Sequence, residues 1–201
     1  MADETDTGAS GAGDVLARLS AALGPAGPGR KPPPVERWNP PFCGDIDMRI
    51  DADGAWFYMG TPIGRPALVR LFASVLRRDP DRYVLVTPVE RVGIEVADVP
   101  FMAVEMAVDG EGPDRRVAFR TNVDDLVQVG PDHPLRFEAD KGGGVKPYLR
   151  VRGDLWARLT RALTYDLIDL AEERTLDGRP SFGVAVEGVF YPISGGRGEI
   201  G

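Results

Sequence analysis

The run Gly60-Thr61-Pro62-Ile63-Gly64-Arg65-Pro66 is where residue types and spacing in this sequence come nearest to a binding chemistry. Pro66 suits the first position of a helix, and Leu68, Val69, Phe72, Val75 and Leu76 follow at helical spacing. A helix start leaves backbone N–H groups without partners. A Ser, Thr, Asp or Asn normally caps them, whereas the residue before Pro66 is Arg65, which has no side-chain acceptor. A bound anion would satisfy those groups, and Arg65 could add a bidentate contact. A cap from Thr61 or from water is the competing reading.

Other chemistry-bearing residues are scattered. Asp45 and Asp47 fall on one face of a predicted strand, within reach of one ion or one sugar hydroxyl, with Arg49 on that face to neutralise them. Thr87 with Glu90, and Thr121 with Asn122, sit at strand ends, where short polar side chains serve a polar ligand or the turn itself. Trp38 and Trp56 offer flat faces on which a base could stack. His133 lies between prolines in a loop, where it binds a ligand or, as the favoured reading, hydrogen-bonds to backbone. Cys43 lacks a neighbouring base and reads as buried small-residue packing. Gly142-Gly143-Gly144 is followed by Val145-Lys146 without the Lys-Ser/Thr pair of a phosphate loop, and Arg49 to Gly60 lacks the glutamate of a calcium loop.

Composition narrows the classes. With a net charge of -7, the surface disfavours nucleic acid and anionic membranes as global partners. One cysteine and one histidine exclude an intramolecular disulfide, a cysteine zinc cluster and a multi-histidine metal site. No cofactor is implied. The opening Met-Ala-Asp-Glu-Thr-Asp has neither the basic start nor the apolar stretch of a secretory signal, and no apolar run approaches the ~18 residues of a membrane span, so a cytoplasmic protein is expected.

The elements follow from the pattern. Residues 1–34 read as a disordered acidic start, a short helix over 14–23 that is a candidate for docking a partner, and a Gly/Pro linker. In an N-terminal unit, 35–97, Ile46, Met48 and Ile50 alternate with charged residues as a strand. Asp53-Gly54 turns the chain into Ala55 to Met59, and the Pro66 helix runs to Asp79-Pro80-Asp81. Tyr83 to Pro88 and Arg91 to Val96 are strands. In a C-terminal unit, 98–195, a hairpin turns at 109–113, short strands follow at 126–129, 135–138 and 148–152, and Asp154 caps a long helix carrying Leu155, Leu159, Leu163, Leu167, Leu170 and Ala171. A final hairpin turns at Glu187-Gly188, and 196–201 is a disordered tail. The step from Tyr58 through Gly64 into the Pro66 helix echoes that from Tyr148 through Gly153 into the Asp154 helix. The fold class is therefore α+β: two small, mostly antiparallel units related by internal duplication, each of strands plus one helix, with a cleft between them.

The long motifs W-N-P-P-F-C-G-D-I-D-M-R-I, W-F-Y-M-G-T-P-I-G-R-P-A-L-V-R-L-F, Y-V-L-V-T-P-V-E-R-V-G-I, T-N-V-D-D, H-P-L-R, P-Y-L-R-V-R and F-Y-P-I resemble the bacterial domain-of-unknown-function family 1285 over about Pro34 to Ser194. The resemblance implies a duplicated two-domain fold with a superficially pleckstrin-homology-like C-terminal half. It also implies a groove for a small, nucleotide-like ligand in a signalling role, with no established activity.

The expectation is a non-enzymatic binding or regulatory module for a small anionic ligand. Arg65 would take a phosphate, Trp38 or Trp56 a base, and Asp45, Asp47, Thr87, Glu90, Thr121 and Asn122 the hydroxyls and ring edges, with His133 a further candidate. The alternatives are a homodimer or higher oligomer formed through an edge strand, and a nucleotide hydrolase holding magnesium on Asp45 and Asp47. Because the ligand set for it is absent, elemental analysis of the purified protein should find neither zinc nor haem iron at one per chain.

Overall fold

A computed structural model describes residues 33–193. The expectations for the acidic start, the helix over 14–23, most of the linker and the 196–201 tail lie outside the described residues. The described residues divide into two compact units: one holds 33–51 and Ala55–Ala97, the other Ala52–Gly54 and 98–193.

The first unit contains β1 (Phe42–Ile50), β2 (Trp56–Tyr58), β3 (Thr61–Pro62), α1 (Pro66–Ser74), β4 (Leu76–Asp79), β5 (Arg82–Val86) and β6 (Arg91–Val96). Its sheet order is β3-β2-β1-β6-β5-β4. Two antiparallel three-stranded meanders thus meet at one parallel pair, β1 with β6. The expected alternation holds in β1: Met48 and Ile50 are buried while Asp47 and Arg49 face out. α1 buries Leu71, Phe72 and Ala73, and the Phe72 ring stacks on Trp56 with centroids 6.3 Å apart.

The first helix stops earlier than its apolar spacing suggests. It ends at Ser74, whose hydroxyl donates to Leu71 O at 2.7 Å, and Leu76–Asp79 is a strand paired with β5. Val75 and Leu76 are fully buried, and an apolar pair at this point suits a helix face as well as a strand, so local periodicity cannot separate the two. Pairing Leu76 with Leu85 across the Pro80-Asp81 turn decides it. The strand also places Arg77, almost wholly buried, where its Nε meets Asp79 Oδ1 at 2.8 Å. Its Nη1 donates to Val35 O at 2.9 Å and Trp38 O at 2.6 Å. Asp79 Oδ2 in turn accepts from Arg91 Nη1 at 2.8 Å. This Arg–Asp–Arg cluster pins the 3₁₀ turn Val35–Arg37 and the extended chain after it to β4.

The second unit repeats the plan. Its strands β7 (Phe101–Asp109), β8 (Arg116–Thr121), β9 (Leu126–Gln128), β10 (Leu135–Ala139), β11 (Val145–Arg152) and β12 (Leu155–Leu159) lie in the order β10-β11-β12-β7-β8-β9. Again two meanders join where the first strand runs parallel to the sixth. α2 (Arg161–Ile168) and a three-stranded sheet of β13 (Ala171–Leu176), β14 (Arg179–Val186) and β15 (Val189–Pro192) follow, with the expected turn at Glu187-Gly188.

The long helix expected from Asp154 is replaced by β12 and the shorter α2. Leu155, Ala157 and Leu159 are buried while Trp156 and Arg158 point out, which is period two. Leucines four apart at 155, 159, 163 and 167 imitate a helix, but the first two belong to the strand. Thr160, not Asp154, caps α2 by accepting from Leu163 N. The expected echo between the Pro66 and Asp154 helices is therefore not the repeat. α1 joins the third and fourth strands of its unit and α2 follows the sixth. The duplication lies in strand order.

Within this unit Arg158 is a hub. Its Nη1 lies 3.2 Å from Asp98 Oδ2, and its Nη2 donates to Ala52 O at 2.6 Å and reaches Asp53 Oδ1 at 3.4 Å. The Tyr148 hydroxyl sits 3.2 Å from both Asp98 oxygens, and the Arg136 guanidinium lies over the Tyr148 and Trp156 rings. Gly54 is confined here too. At φ 77° it would place a Cβ 2.8 Å from Met102 Cγ, so glycine is required. Burial first, then the Asp98 charge, pushes the Tyr148 hydroxyl up to about 12.

Two outcomes follow. Arg77→Leu leaves Asp79 with one partner and two carbonyls without their donor, and should cost about 3 kcal/mol in urea unfolding. For Tyr148, the unfolded chain ionises near 10.0 while the fold keeps its proton to about 12. In that window the folded state binds more protons, so its contribution is complete below about pH 10 and declines towards pH 12. Tyr148→Phe should flatten this alkaline limb in a pH series of urea melts while lowering stability at neutral pH.

Candidate functional site

The approach to α1 is a tight hairpin. Met59 and Gly60, both at positive φ (49° and 73°), turn β2 into β3, and Met59 N donates to Asp47 O. Ile63 N then donates to Trp56 O at 2.8 Å, and Arg65 becomes the residue capping α1. It is extended (φ -101°, ψ 106°), no side chain caps the helix, and the first turn holds no acidic residue. Thr61 does not supply the cap. The start is nevertheless poorer in donors than expected. Pro66 has no N–H, and Leu68 N and Val69 N both donate to Arg65 O, at 3.0 and 3.1 Å. Ala67 N–H is the donor left over in this turn. The Arg65 side chain is exposed, and like Arg37 and Arg179 it makes no hydrogen bond, ion pair or ring contact with the described residues. The other described arginines are engaged, several of them over aromatic rings.

The remaining candidates divide by their surroundings. Asp45 and Asp47 are exposed on β1. Asp45 Oδ1 lies 3.5 Å from Arg82 Nη1 and presses against Gly93, where a Cβ would sit 1.9 Å away. Burial, and then the Asp47 charge, raises the Tyr58 hydroxyl. Among the described residues no three of His, Cys, Asp and Glu gather as a metal site. Trp56 is 2 % exposed in the core, where its Nε1 has no acceptor, and Trp38 is half-buried with its carbonyl held by Arg77.

The two polar corners form turns. Thr87, fully buried, accepts from Val89 N and Glu90 N through Oγ1 and donates to Glu90 O. Thr121, also fully buried, accepts from Val123 N and Asp125 N. Asn122 takes the Met102 N–H at 3.1 Å and gives a bond to Gly54 O at 3.2 Å. Beside it Arg120 bridges Glu105 and Asp124, and its hydrogen bond holds the Glu105 carboxyl below the usual range. His133 Nδ1 lies 3.1 Å from Arg150 O, and since a carbonyl only accepts, the proton sits on Nδ1. Cys43 is exposed, not buried. The bulged start of β1, with Gly44 at φ 94°, turns it outward with its thiol 3.6 Å from Pro41 O.

Arg77 and Arg158 stood out in no sequence pattern. Each is an arginine in a strand that read as helix, so its inward or sideways reach had no signal.

Residues 33–99 match the family described as "Domain of unknown function (DUF1285), N-terminal domain", and residues 100–193 match the corresponding C-terminal domain. No curated protein matches the chain. A crystal structure of a DUF1285 family protein from Silicibacter pomeroyi DSS-3 is similar at 48% identity and a TM-score of 0.78, covering 87% of this chain and 93% of that one. A DUF1285 family protein from Shewanella baltica OS155 is 28% identical with a TM-score of 0.49, covering 62% of this chain and 91% of its own. With both domains matched in order and a solved relative at this identity, the chain belongs to the DUF1285 family.

Proposed function

We propose that this protein is a cytoplasmic, non-catalytic binding module whose first unit takes a small phosphorylated, nucleotide-like ligand at Arg65, in a signalling role. The observation that supports the reading is an exposed guanidinium without an ionic partner among the described residues, at a helix start with no side-chain cap and no acidic first turn. Helix dipole and guanidinium both favour an anion there. Since proline and the Leu68 bond leave one free N–H, the arginine carries most of the recognition.

A thermal-shift screen of nucleotides, other phosphorylated metabolites and inorganic phosphate tests this. A ligand at one hundred times its Kd should stabilise the fold by ~2.7 kcal/mol. Arg65→Ala should weaken that ligand by ~1.5–3 kcal/mol. Arg179→Ala, which removes another arginine without a described partner, should leave binding unchanged. Equal loss in both variants would reduce the effect to net charge, and normal binding by Arg65→Ala would overturn the site.

A further inference from the structure

The β13–β14 hairpin turns at Asp177-Gly178, both at positive φ (52° and 77°), in a two-residue loop between the paired Leu176 and Arg179. From Glu173 to Phe182 it stands almost entirely exposed, with Leu176 at 39% and Phe182 at 49%. A bare two-stranded hairpin is marginal on its own. β13 is the edge of its sheet, and among the described residues no strand lies on its outer side.

Which backbone groups face outward follows from the turn. The pair flanking a two-residue loop is hydrogen-bonded, so Leu176, Arg174 and Glu172 bond to β14, and Thr175, Glu173 and Ala171 turn their N–H and C=O groups away from it. Pro180 opposite Thr175 agrees, because a proline lacks the N–H that an inward-bonded position would need.

We propose that the outer edge of β13 pairs antiparallel with β13 of a second copy of this chain, about a two-fold axis through Glu173. A two-fold axis normal to a continuous sheet must pass through a residue pair, since cross-strand partners share a face. Centred on Glu173, the register opposes Glu172 to the partner copy's Arg174 on both sides of the axis, and lets Ala171, Glu173 and Thr175 exchange about six main-chain bonds. Centred on Arg174, it would oppose arginine to itself and Glu172 to Leu176. The edge is therefore charge-complementary to itself in one register. Glu172 and Arg174 already lie 2.5 Å apart within the strand, each more than a third exposed, so both are placed to exchange partners across the axis. Glu173 meets its own copy, which keeps the association weak and concentration-dependent.

Sedimentation of the full chain over a concentration series should show the mass doubling. Glu172→Arg and Arg174→Glu each place like charges opposite one another, and each should remain monomeric; Glu172→Arg should keep a cooperative melt, and Arg174→Glu should too, lowered by no more than the loss of the Arg174 contact over the Phe190 ring. Mixed together, they should restore the doubled mass, since each supplies the charge the other lacks. Thr175→Pro removes an outward N–H without touching the β14 ladder and should also be monomeric, which covers the case of a charge variant that folds poorly. Glu173→Gln should tighten the dimer. Three results would overturn the proposal: a wild-type chain monomeric up to its solubility limit, single variants that still dimerise, or a mixture that stays monomeric.

Discussion

In both units the first strand hydrogen-bonds in parallel to the sixth, and every other neighbour relation in the six-stranded sheets is antiparallel. Remove that one pairing and each sheet becomes two separate three-stranded meanders, the smallest size at which a sheet can stand on its own. β1 meets β6 through bulges at its start, where Gly44 takes a left-handed conformation and the exposed Asp45 side chain folds over Gly93. β7 meets β12 through Phe101, Met102 and Ala103. The remaining features hang on these seams: the Arg77 cluster stabilises the outer meander of the first sheet, and Arg158 extends from the seam strand of the second.

The hairpins were readable because their turns carry local signals. Asp53-Gly54, the residues from Asp109 to Gly112, and Glu187-Gly188 each take positive φ at glycine, and the strands around them alternate. The helix ends were not readable. Leucines spaced by four fit both a helix and a strand that hands over to a helix, and β12 is fixed by Phe101 and its neighbours, far away in sequence. The same holds for Val75 and Leu76, whose fate depends on Leu85. Duplication is legible in the sequence as two blocks of strands plus one helix, but the correspondence between the Pro66 and Asp154 approaches does not hold, because the repeat lies in strand order.

Legibility of the candidate site follows a similar division. That Arg65 caps a helix without a side-chain acceptor could be read from Gly64-Arg65-Pro66 alone, because a proline fixes where the helix begins. How many N–H groups stay free could not, since it depends on Leu68 closing back onto Arg65 O. Short polar residues at strand ends are ambiguous by nature: Thr87, Thr121 and Asn122 look alike whether they read a ligand or close a turn, and burial is what separates the two. Cys43 misled in the other direction, because the bulge that exposes it is a property of its pairing with β6.

The seam also sets the order of events when the chain is made. Phe42 cannot find Arg91, nor Phe101 find Ala157, until the whole of the intervening unit has been synthesised. Local hairpins form within microseconds, but the contact that closes each sheet is among the most distant in its unit, which slows folding. While β6 is still unmade, β1 presents an unpaired edge beside the apolar row of Met48 and Ile50, the state in which nascent chains aggregate. The charged residues alternating with that row, Asp45, Asp47 and Arg49, then act as gatekeepers, keeping the open strand soluble during the delay.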